Sequence, residues 1–220
     1  LGNSRNPYVY LLEYEYQEIG SCSIHPNARI IGEDAFWNCY NLTEITIPEN
    51  IAQISPDAFT YCNSLTGIWV DADNAYYCSD SAGVLYNKDK TELLQAPGAI
   101  KGDYDIPDSV VTIHMYAFDS CSGLTRIHIP ESVCSIGRSS FASCPNLTGI
   151  WVDTENPSYC SDAYGVLFDK AKKVLLQAPG ALEGAYVVPY SVTDIRSFAF
   201  DGCDGLTAIT IMNQVTNMGD

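Results

Sequence analysis

The chain repeats its own sequence at a fixed step, which is the step from Phe36 to Phe118. The same step leads from Phe118 to Phe200, and from Phe59 to Phe141 in a second series. Residues 69–98 are matched almost residue for residue by residues 151–180. Self-similarity at a fixed period indicates a solenoid, in which each unit buries its apolar face only against its neighbours. The functional question therefore moves from a single pocket to an extended surface.

The composition is that of one elongated, acidic domain. The 220 residues are 46% apolar, which is enough for a continuous core, and the repetition favours a single domain over residues 1–220. The net charge is −16, which repels nucleic-acid phosphates and anionic lipid surfaces, so we predict no nucleic-acid partner. No run approaches about 18 apolar residues, so we predict no membrane insertion by this segment.

Five copies of one unit align, and each follows the pattern I-x-x-x-A-F-x-x-C-x-x-L-T-x-I-x-I-P with small departures. The copies cover residues 30–50, 53–73, 112–132, 135–155 and 194–214. In the first copy Ile45 and Ile47 alternate with Glu44 and Thr46. This alternation predicts a short strand whose isoleucines point inward and whose polar residues point outward.

The middle of the unit has a different spacing. Ala35, Phe36 and Cys39 are spaced as on one turn of a helix, with Phe36 and Cys39 three positions apart. In the second copy Ser55 and Pro56 match an N-cap followed by a first-turn proline. The sequence therefore predicts a short helical turn in each unit.

The units come in two lengths. The step from Phe36 to Phe59 spans a short unit, and the step from Phe59 to Phe118 spans a unit more than twice as long. The additional residues follow Trp69 and Trp151. Each insert has two apolar segments around a polar turn, at residues 87–90 and 169–172, and so predicts a β-hairpin.

The two ends of the chain carry partial units. Residues 10–12 align with residues 92–94, and residues 215–219 align with residues 133–137. Neither end has the polar character of a capping repeat, which solenoids use to shield their terminal faces. We therefore expect the sequence to be a fragment of a longer array.

This pattern resembles the BspA-like leucine-rich repeats, also called the LRR_5 type. The residues that carry the resemblance, together with their copies in the other units, are Ile31-Gly32, Ala35-Phe36, Cys39, Leu42-Thr43, Ile45 and Ile47-Pro48. The inserts also look like this family, through Gly83-Val84-Leu85-Tyr86 and Pro107-Asp108-Ser109-Val110. The resemblance covers nearly the whole chain.

The resemblance implies an α/β repeat fold, a right-handed leucine-rich-repeat solenoid. Its elements would be mostly short parallel strands with short helical turns and inserted β-hairpins, and a parallel sheet would line the concave side. The resemblance also implies a secreted or cell-surface protein, typically bacterial. Members are commonly proposed to act as adhesins or ligand-binding modules, which implies an extracellular protein or glycan as partner.

The cysteines, of which there are nine, suggest either disulfides or an interior column. In a small secreted domain such a number would indicate a disulfide framework. Five of them hold the same place in successive units, namely Cys39, Cys62, Cys121, Cys144 and Cys203. Because stacked coils place equivalent side chains in one buried column, we predict free, buried thiols. No Cys or His spacing supports a zinc site, and we predict no cofactor.

An acidic stretch at residues 71–74 recurs at residues 153–156. It resembles the start of a calcium loop, but Tyr76 stands at the position of the loop glycine and Ala82 at the position of its last glutamate. A turn stabilised by Asp and Asn side chains is the better interpretation, with calcium as the alternative.

The outward strand positions are the candidate ligand-binding residues. On a parallel sheet they form two columns along the concave face, and the candidates are Glu44, Trp69, Arg126, His128, Trp151 and Thr210. Trp and Arg are enriched where interfaces concentrate binding energy. The alternative is that each tryptophan packs under its own insert.

No nucleophile–base motif, phosphate loop or metalloprotease motif occurs in the sequence. We therefore predict a non-catalytic extracellular binding or adhesion module that presents its concave sheet. The alternative is a structural stalk or spacer that carries another domain on the cell surface. The sequence leaves the ligand and the oligomeric state open.

Overall fold

Short β-strands succeed one another along the described part of the chain, which is Tyr10–Leu11 and residues 20–219 of a computed structural model. These residues contain no helix. In chain order the strands are β1 (Tyr10–Leu11), β2 (Ser21–Ser23), β3 (Ile30–Ile31), β4 (Glu44–Ile47), β5 (Gln53–Ile54), β6 (Gly67–Val70), β7 (Tyr77–Ser79), β8 (Leu85–Asn87), β9 (Glu92–Gln95), β10 (Lys101–Asp105), β11 (Thr112–Ile113), β12 (Gly123–Ile129), β13 (Ser135–Ile136), β14 (Gly149–Val152), β15 (Tyr159–Ser161), β16 (Leu167–Asp169), β17 (Val174–Gln177), β18 (Gly184–Val187), β19 (Asp194–Ile195), β20 (Leu206–Thr210) and β21 (Asn217–Met218). Leu12 of the first partial unit lies outside the described residues.

Each coil of the solenoid contributes one strand to a front face. The front strands are parallel and form the sheets β2-β4-β6, β10-β12-β14 and β18-β20. In β4, Ile45 and Ile47 are buried, whereas Glu44 and Thr46 are exposed. The predicted strand and its inward isoleucines are therefore confirmed.

A second strand of each coil lies on a side face. The side strands pair in parallel as β1-β3-β5, β9-β11-β13 and β17-β19-β21. Between its side strand and its front strand, each coil places apolar side chains in the interior. Phe36 stacks on Phe59 with ring centroids 5.2 Å apart, and Phe118 stacks on Phe141 at 5.5 Å.

The inserts contain the predicted hairpins and also a coil that the sequence did not reveal. β8 pairs antiparallel with β9, and β16 pairs antiparallel with β17, around the predicted polar turns. A third antiparallel strand, β7 or β15, extends each hairpin. However, β9 also pairs in parallel with the side strand β11, and β10 lies beside the front strand β12. Each long unit therefore comprises two coils and a hairpin.

The predicted helical turn is wrong. Asp34 and Asn38, on either side of Phe36, have φ angles of 54° and 60°, which a right-handed helix does not allow. The Phe36 and Asn38 amides donate to the next coil, to the carbonyls of Ala58 at 2.8 Å and Thr60 at 2.9 Å. Because these amides bond between coils, the segment between side and front strands is a chain of tight turns.

The proposed N-cap in the second copy does not form either. The Ser55 hydroxyl donates to Oδ1 of Asp57 at 2.6 Å, a contact within the turn. Serine and aspartate often stabilise turns in this local way. The Ser-Pro pair therefore belongs to a turn, for which its composition is equally suitable.

The last described coil presents apolar side chains to solvent. The exposed members are Phe198, Ile209, Ile211, Met212 and Met218. All of them except Met212 line, with their neighbours, an open cavity of about 380 Å³. This apolar surface lies beside the buried residues Ile195 and Ala199 of the coil that carries Phe198.

Candidate functional site

The front face is divided into three sheets, so the predicted columns are not continuous. After β6, the next partner is a loop of the insert, because the Ile68 amide donates to the Gly83 carbonyl at 2.9 Å. The Ile150 amide makes the same bond to Gly165 at 3.0 Å after β14. Glu44 and Trp69 therefore share the first sheet, Thr210 lies in the third, and the remaining candidates lie in the second.

Each front-face tryptophan lies over a glycine of its own strand. A Cβ built on Gly67 would come within 2.5 Å of the Trp69 ring, and one on Gly149 within 2.5 Å of the Trp151 ring. Trp69 is 36% exposed, and Trp151 is half-buried. Each glycine therefore makes room for an indole that keeps part of its surface in contact with solvent.

The second sheet holds Arg126 in a fixed position. Its Nε lies 3.0 Å from Oδ2 of Asp103, and an Nη lies 3.4 Å from Oδ1 of Asp105. The Thr125 hydroxyl donates to the other oxygen of Asp103 at 2.7 Å. These hydrogen bonds, first from Thr125 and then from Arg126, lower the pKa of Asp103. Arg126 thus offers a guanidinium whose charge is already shared by two carboxylates.

The remaining candidates have simple strand partners. His128 lies between Asp105 and Trp151 in the parallel register, so acid, imidazole and indole form one row across the second sheet. In the first sheet Thr46 is the partner of Trp69. Thr210 is exposed on β20 beside Val187.

Sequence reasoning missed Asp103 and Asp105 because they belong to the coil hidden in the insert. That coil lacks the Phe and Cys landmarks of the other units. A signal was present, because Tyr104 and Ile106 alternate before Pro107 as Ile45 and Ile47 do before their proline. Two buried apolar residues before a proline therefore mark the front strand of this coil, which lacks the Phe-x-x-Cys element.

The acidic stretches form turns that are anchored by a buried asparagine. The Asp71 carboxylate accepts the Asp73 amide at 2.9 Å, and the Asp153 carboxylate accepts the Glu155 amide at 2.9 Å. Asn74 is fully buried, and its amide group donates to the carbonyls of the preceding coil. These contacts support the turn interpretation. Among the residues that the structure describes, no group of His, Cys, Asp and Glu is arranged to hold a metal.

All nine cysteines fall in the described part of the chain, and none of them forms a disulfide there. Cys62 donates to the Phe36 carbonyl at 3.0 Å, and Cys144 donates to the Phe118 carbonyl at 3.1 Å. Burial raises the pKa of both Cys62 and Cys144 to about 12. The thiol column therefore belongs to the packing between coils, where it is protonated and unreactive at neutral pH.

A second surface carries aromatic side chains that the sequence analysis did not identify. It lies along the tight turns around each buried phenylalanine, and we call it the turn face; its aromatic residues are Trp37, Tyr61 and Tyr116. Trp37 is 47% exposed and Tyr61 is 41% exposed. Their rings meet edge to face with centroids 6.1 Å apart, and Arg138 lies 5.7 Å from the centre of the Tyr116 ring.

Asp119 is buried beneath this surface. Burial raises its pKa to about 6, the Ser120 hydroxyl opposes the rise, and the charge of Asp201 adds to it. The charges of Asp119 and Asp201 in turn raise the pKa of Tyr61, with Asp119 the largest cause. A negative field therefore surrounds the Tyr61 phenol.

Asp119→Asn should stabilise the protein at pH 7.5 by about 1–3 kcal/mol, because one pKa unit corresponds to about 1.4 kcal/mol. The pKa of Asp119 is about 6 in the folded state and about 3.9 in an unfolded chain, so its ionisation lowers the free energy of unfolding as the pH rises from about 4 to about 6. Above pH 6 this destabilisation is complete. As the pH falls from 6 to 4 the carboxyl becomes protonated in the folded state first, and the advantage of asparagine disappears by about pH 4. Thermal unfolding at pH 7.5, 6 and 4 measures the effect, with the exposed Asp108→Asn as control. A gain that is independent of pH would contradict this account.

The described residues include no helix long and apolar enough to cross a membrane. The polar groups of the front strands are hydroxyls, carboxylates, the guanidinium of Arg126, the imidazole of His128 and the ammonium of Lys101. Such a surface of indoles and hydrogen-bonding groups is suited to binding.

Comparison with known sequences identifies the repeat. The profile of the BspA type leucine rich repeat region matches the chain in six copies, over residues 12–82, 102–165 and 185–220. These residues make up more than half of the chain, and they include parts of the hidden coils at residues 102–105 and 185–187. A sequence comparison with curated proteins found no significant match.

Three solved structures have the same fold. A leucine-rich repeat protein from Eubacterium ventriosum shares 24% identity and a TM-score of 0.54 over 96% of this chain and 55% of its own. A leucine rich cell surface protein from Faecalibacterium prausnitzii shares 25% identity and a TM-score of 0.58 over 85% of this chain and 58% of its own. The pneumococcal vaccine antigen PcpA shares 19% identity and a TM-score of 0.54 over 96% of this chain and 60% of its own. The chain thus spans less than two thirds of the length of each. The likeness to the first and third shows the fold alone.

Proposed function

The chain belongs to the BspA-type leucine-rich repeat family, and from this premise we propose that it is a non-catalytic binding and adhesion module outside the cell or on its surface. The front face would engage an extracellular protein or glycan through Glu44, Trp69, Arg126, His128, Trp151 and Thr210. The cell-surface description of the similar Faecalibacterium protein supports the location.

The observation that carries this proposal is the repeated placement of an indole over a glycine. Both front-face tryptophans have this arrangement, and each lies beside a polar residue of the neighbouring strand, Thr46 or His128. An indole held by the backbone beneath it loses little conformational freedom when a ligand binds. Flat aromatic surface with hydrogen-bonding groups beside it suits both a sugar ring and a protein hot spot.

Binding to the front face is tested by a screen of the purified chain against extracellular-matrix proteins, mucins and a glycan array. For a ligand that binds, we expect the double variant Trp69→Ala/Trp151→Ala to weaken binding at least tenfold, because a hot-spot residue contributes about 2 kcal/mol or more. Trp37→Ala is the matched control, since it removes an exposed indole from another face. Equal binding by the double variant would remove the front face as the site.

The alternative proposal is a structural stalk that carries another domain. The exposed apolar surface formed by Ile209, Ile211 and Met218 supports it, because such a surface is suited to stacking against another coil. If the chain is only a stalk, we expect no molecule in the screen to show saturable binding. A ligand lost in the tryptophan double variant and retained in Trp37→Ala would exclude a purely structural role.

A further inference from the structure

The turn face carries aromatic residues in a backbone conformation that is unfavourable for them. Tyr61 has a φ angle of 62° and Tyr116 a φ angle of 59°. A large side chain in this left-handed region costs of order 1–3 kcal/mol, and such residues concentrate at functional sites. The position that Tyr61 occupies is taken by Asn38 in the first unit and by Ser143 in the fourth, and both also have positive φ angles. Asparagine and serine are residues that turns commonly use.

Two carboxylates of this region act electrostatically on the tyrosine. In the second long repeat the Ser143 hydroxyl donates to Oδ2 of Asp201 at 2.6 Å. Tyr61 and Asp119 are the counterparts of this pair one repeat earlier in the sequence. Tyr61 therefore occupies the position of Ser143, and the charges of Asp119 and Asp201 raise the pKa of its phenol, with Asp119 the largest cause.

Exposed aromatic rings in a negative field favour a cation. The ring faces of Trp and Tyr attract a guanidinium or ammonium group, and the neighbouring carboxylates add to this attraction. The surface already holds one such contact, because Arg138 lies over the Tyr116 ring. The net charge of −16 would attract a basic partner from a distance. The cations that the structure shows over aromatic rings lie at Tyr86, Tyr116 and Phe168. Within the described residues, the exposed rings of Trp37 and Tyr61 are not among these contacts.

We propose that the turn face binds a basic segment of a partner protein, with an arginine or lysine side chain against the rings of Trp37 and Tyr61. This site is separate from the front face and does not depend on the function proposed for it. The left-handed tyrosine supplies the ring that binds the cation, and the carboxylates of Asp119 and Asp201 make the site selective for positive charge.

Titration by NMR with a peptide of alternating arginine and glycine tests the proposal. The chain has three tryptophans, so three indole N–H signals report on the two faces. We expect the signal of Trp37, assigned with Trp37→Phe, to shift, and those of Trp69 and Trp151 to stay unchanged. The same peptide with citrulline in place of arginine, which has no charge, should cause no shift. A neutral cello-oligosaccharide that shifts the Trp37 signal when the arginine peptide does not would overturn the proposal in favour of a glycan.

Three variants separate the site from general attraction to an acidic protein. Tyr61→Asn, which installs the residue of the first unit at this position, should weaken binding of the arginine peptide by about tenfold. Its Tm should fall by no more than about 3 °C, because asparagine also relieves the left-handed strain. Tyr61→Phe keeps the ring and should bind within about threefold. Tyr190→Ser removes an exposed tyrosine elsewhere and should bind normally. Unchanged binding by Tyr61→Asn, or a shift of all three indole signals, would overturn the proposal. A larger fall in the Tm of Tyr61→Asn would do so as well, because it would show that the ring has a structural role.

Discussion

Asn156→Leu should lower the free energy of unfolding by about 4–6 kcal/mol, which corresponds to about 10–20 °C in Tm for a chain of this size. The Asn156 side chain is fully buried and makes four hydrogen bonds. Its amide donates to the Pro130 carbonyl at 2.8 Å and the Val133 carbonyl at 2.9 Å, and its oxygen accepts from the Ser158 and Tyr159 amides at 2.9 and 2.8 Å. Leucine has a similar volume and can make none of these bonds.

The cost follows from the groups that leucine would leave without partners. Each buried polar group that loses its hydrogen bond costs about 1–3 kcal/mol, and here the Val133 carbonyl and the amides of Ser158 and Tyr159 are affected. The Pro130 carbonyl keeps one partner, because it also accepts the Val133 amide at 3.3 Å. The total is a large share of the stability of a typical domain, which is about 5–15 kcal/mol. Chemical denaturation and thermal unfolding, read by circular dichroism, measure it.

The repeat provides a replicate and a control for this prediction. Asn74 makes the same four hydrogen bonds one repeat earlier, so Asn74→Leu should lower the free energy of unfolding by a similar amount. Asn146 is exposed and donates one bond, to the Ser122 carbonyl at 2.7 Å, so Asn146→Leu should change the free energy of unfolding by about 1 kcal/mol or less. A loss below about 1 kcal/mol in Asn156→Leu would refute the assignment of this side chain as a bond between coils.

The features of the fold that could be predicted from the sequence are those that depend on burial. Ile45 and Ile47 alternate because one side of the strand faces the interior, and this pattern is visible in any single copy. The polar turn at residues 87–90 lies between two apolar segments and marks the hairpin. The fixed repeat strengthens the strand and hairpin predictions, because each copy of the unit supports the same interpretation.

The turn around Phe36 could not be predicted in the same way. A spacing of three positions between Phe36 and Cys39 fits one turn of a helix and also fits a succession of tight turns. A helical turn and a succession of tight turns differ in the carbonyls that accept the backbone amides. In this chain the amides of Phe36 and Asn38 donate to carbonyls of the next coil. Bonds between coils leave no periodicity within one unit, so the sequence of a unit alone does not distinguish the two.

The candidate site was predicted in part, because exposure depends on neighbours that the sequence did not place. The sequence allows either an exposed or a packed position for Trp69 and Trp151, and the structure shows each ring over its own glycine and partly exposed. Asp103 and Asp105 were missed because their coil lacks the landmarks that defined the units. Tyr61 was missed because the sign of φ at a tyrosine cannot be inferred from residue type.

The second large effect is expected at the buried phenylalanine column. Phe118→Ala should lower the free energy of unfolding by about 3–5 kcal/mol, because the ring leaves a cavity that the surrounding coils fill only in part. The Phe118 ring is fully buried, stacks on Phe141 at 5.5 Å and lies 5.7 Å from the ring of Tyr104. The loss therefore acts on two neighbouring coils at once, one of which is the coil hidden in the insert.

Phe198→Ala is the matched control for this prediction, because Phe198 is 52% exposed and has a φ angle of 60°. Removing its ring should change stability by about 1 kcal/mol or less, since little packing is lost. In a solenoid each coil contacts only its neighbours, so hydrogen exchange in Phe118→Ala should accelerate most in the coils that carry Tyr104 and Phe141. Equal losses from Phe118→Ala and Phe198→Ala, or an acceleration spread evenly over the described coils, would show that the phenylalanine column does not hold adjacent coils together. Because the two substitutions delete the same atoms, the difference between them reports chiefly on the burial of the Phe118 ring between coils.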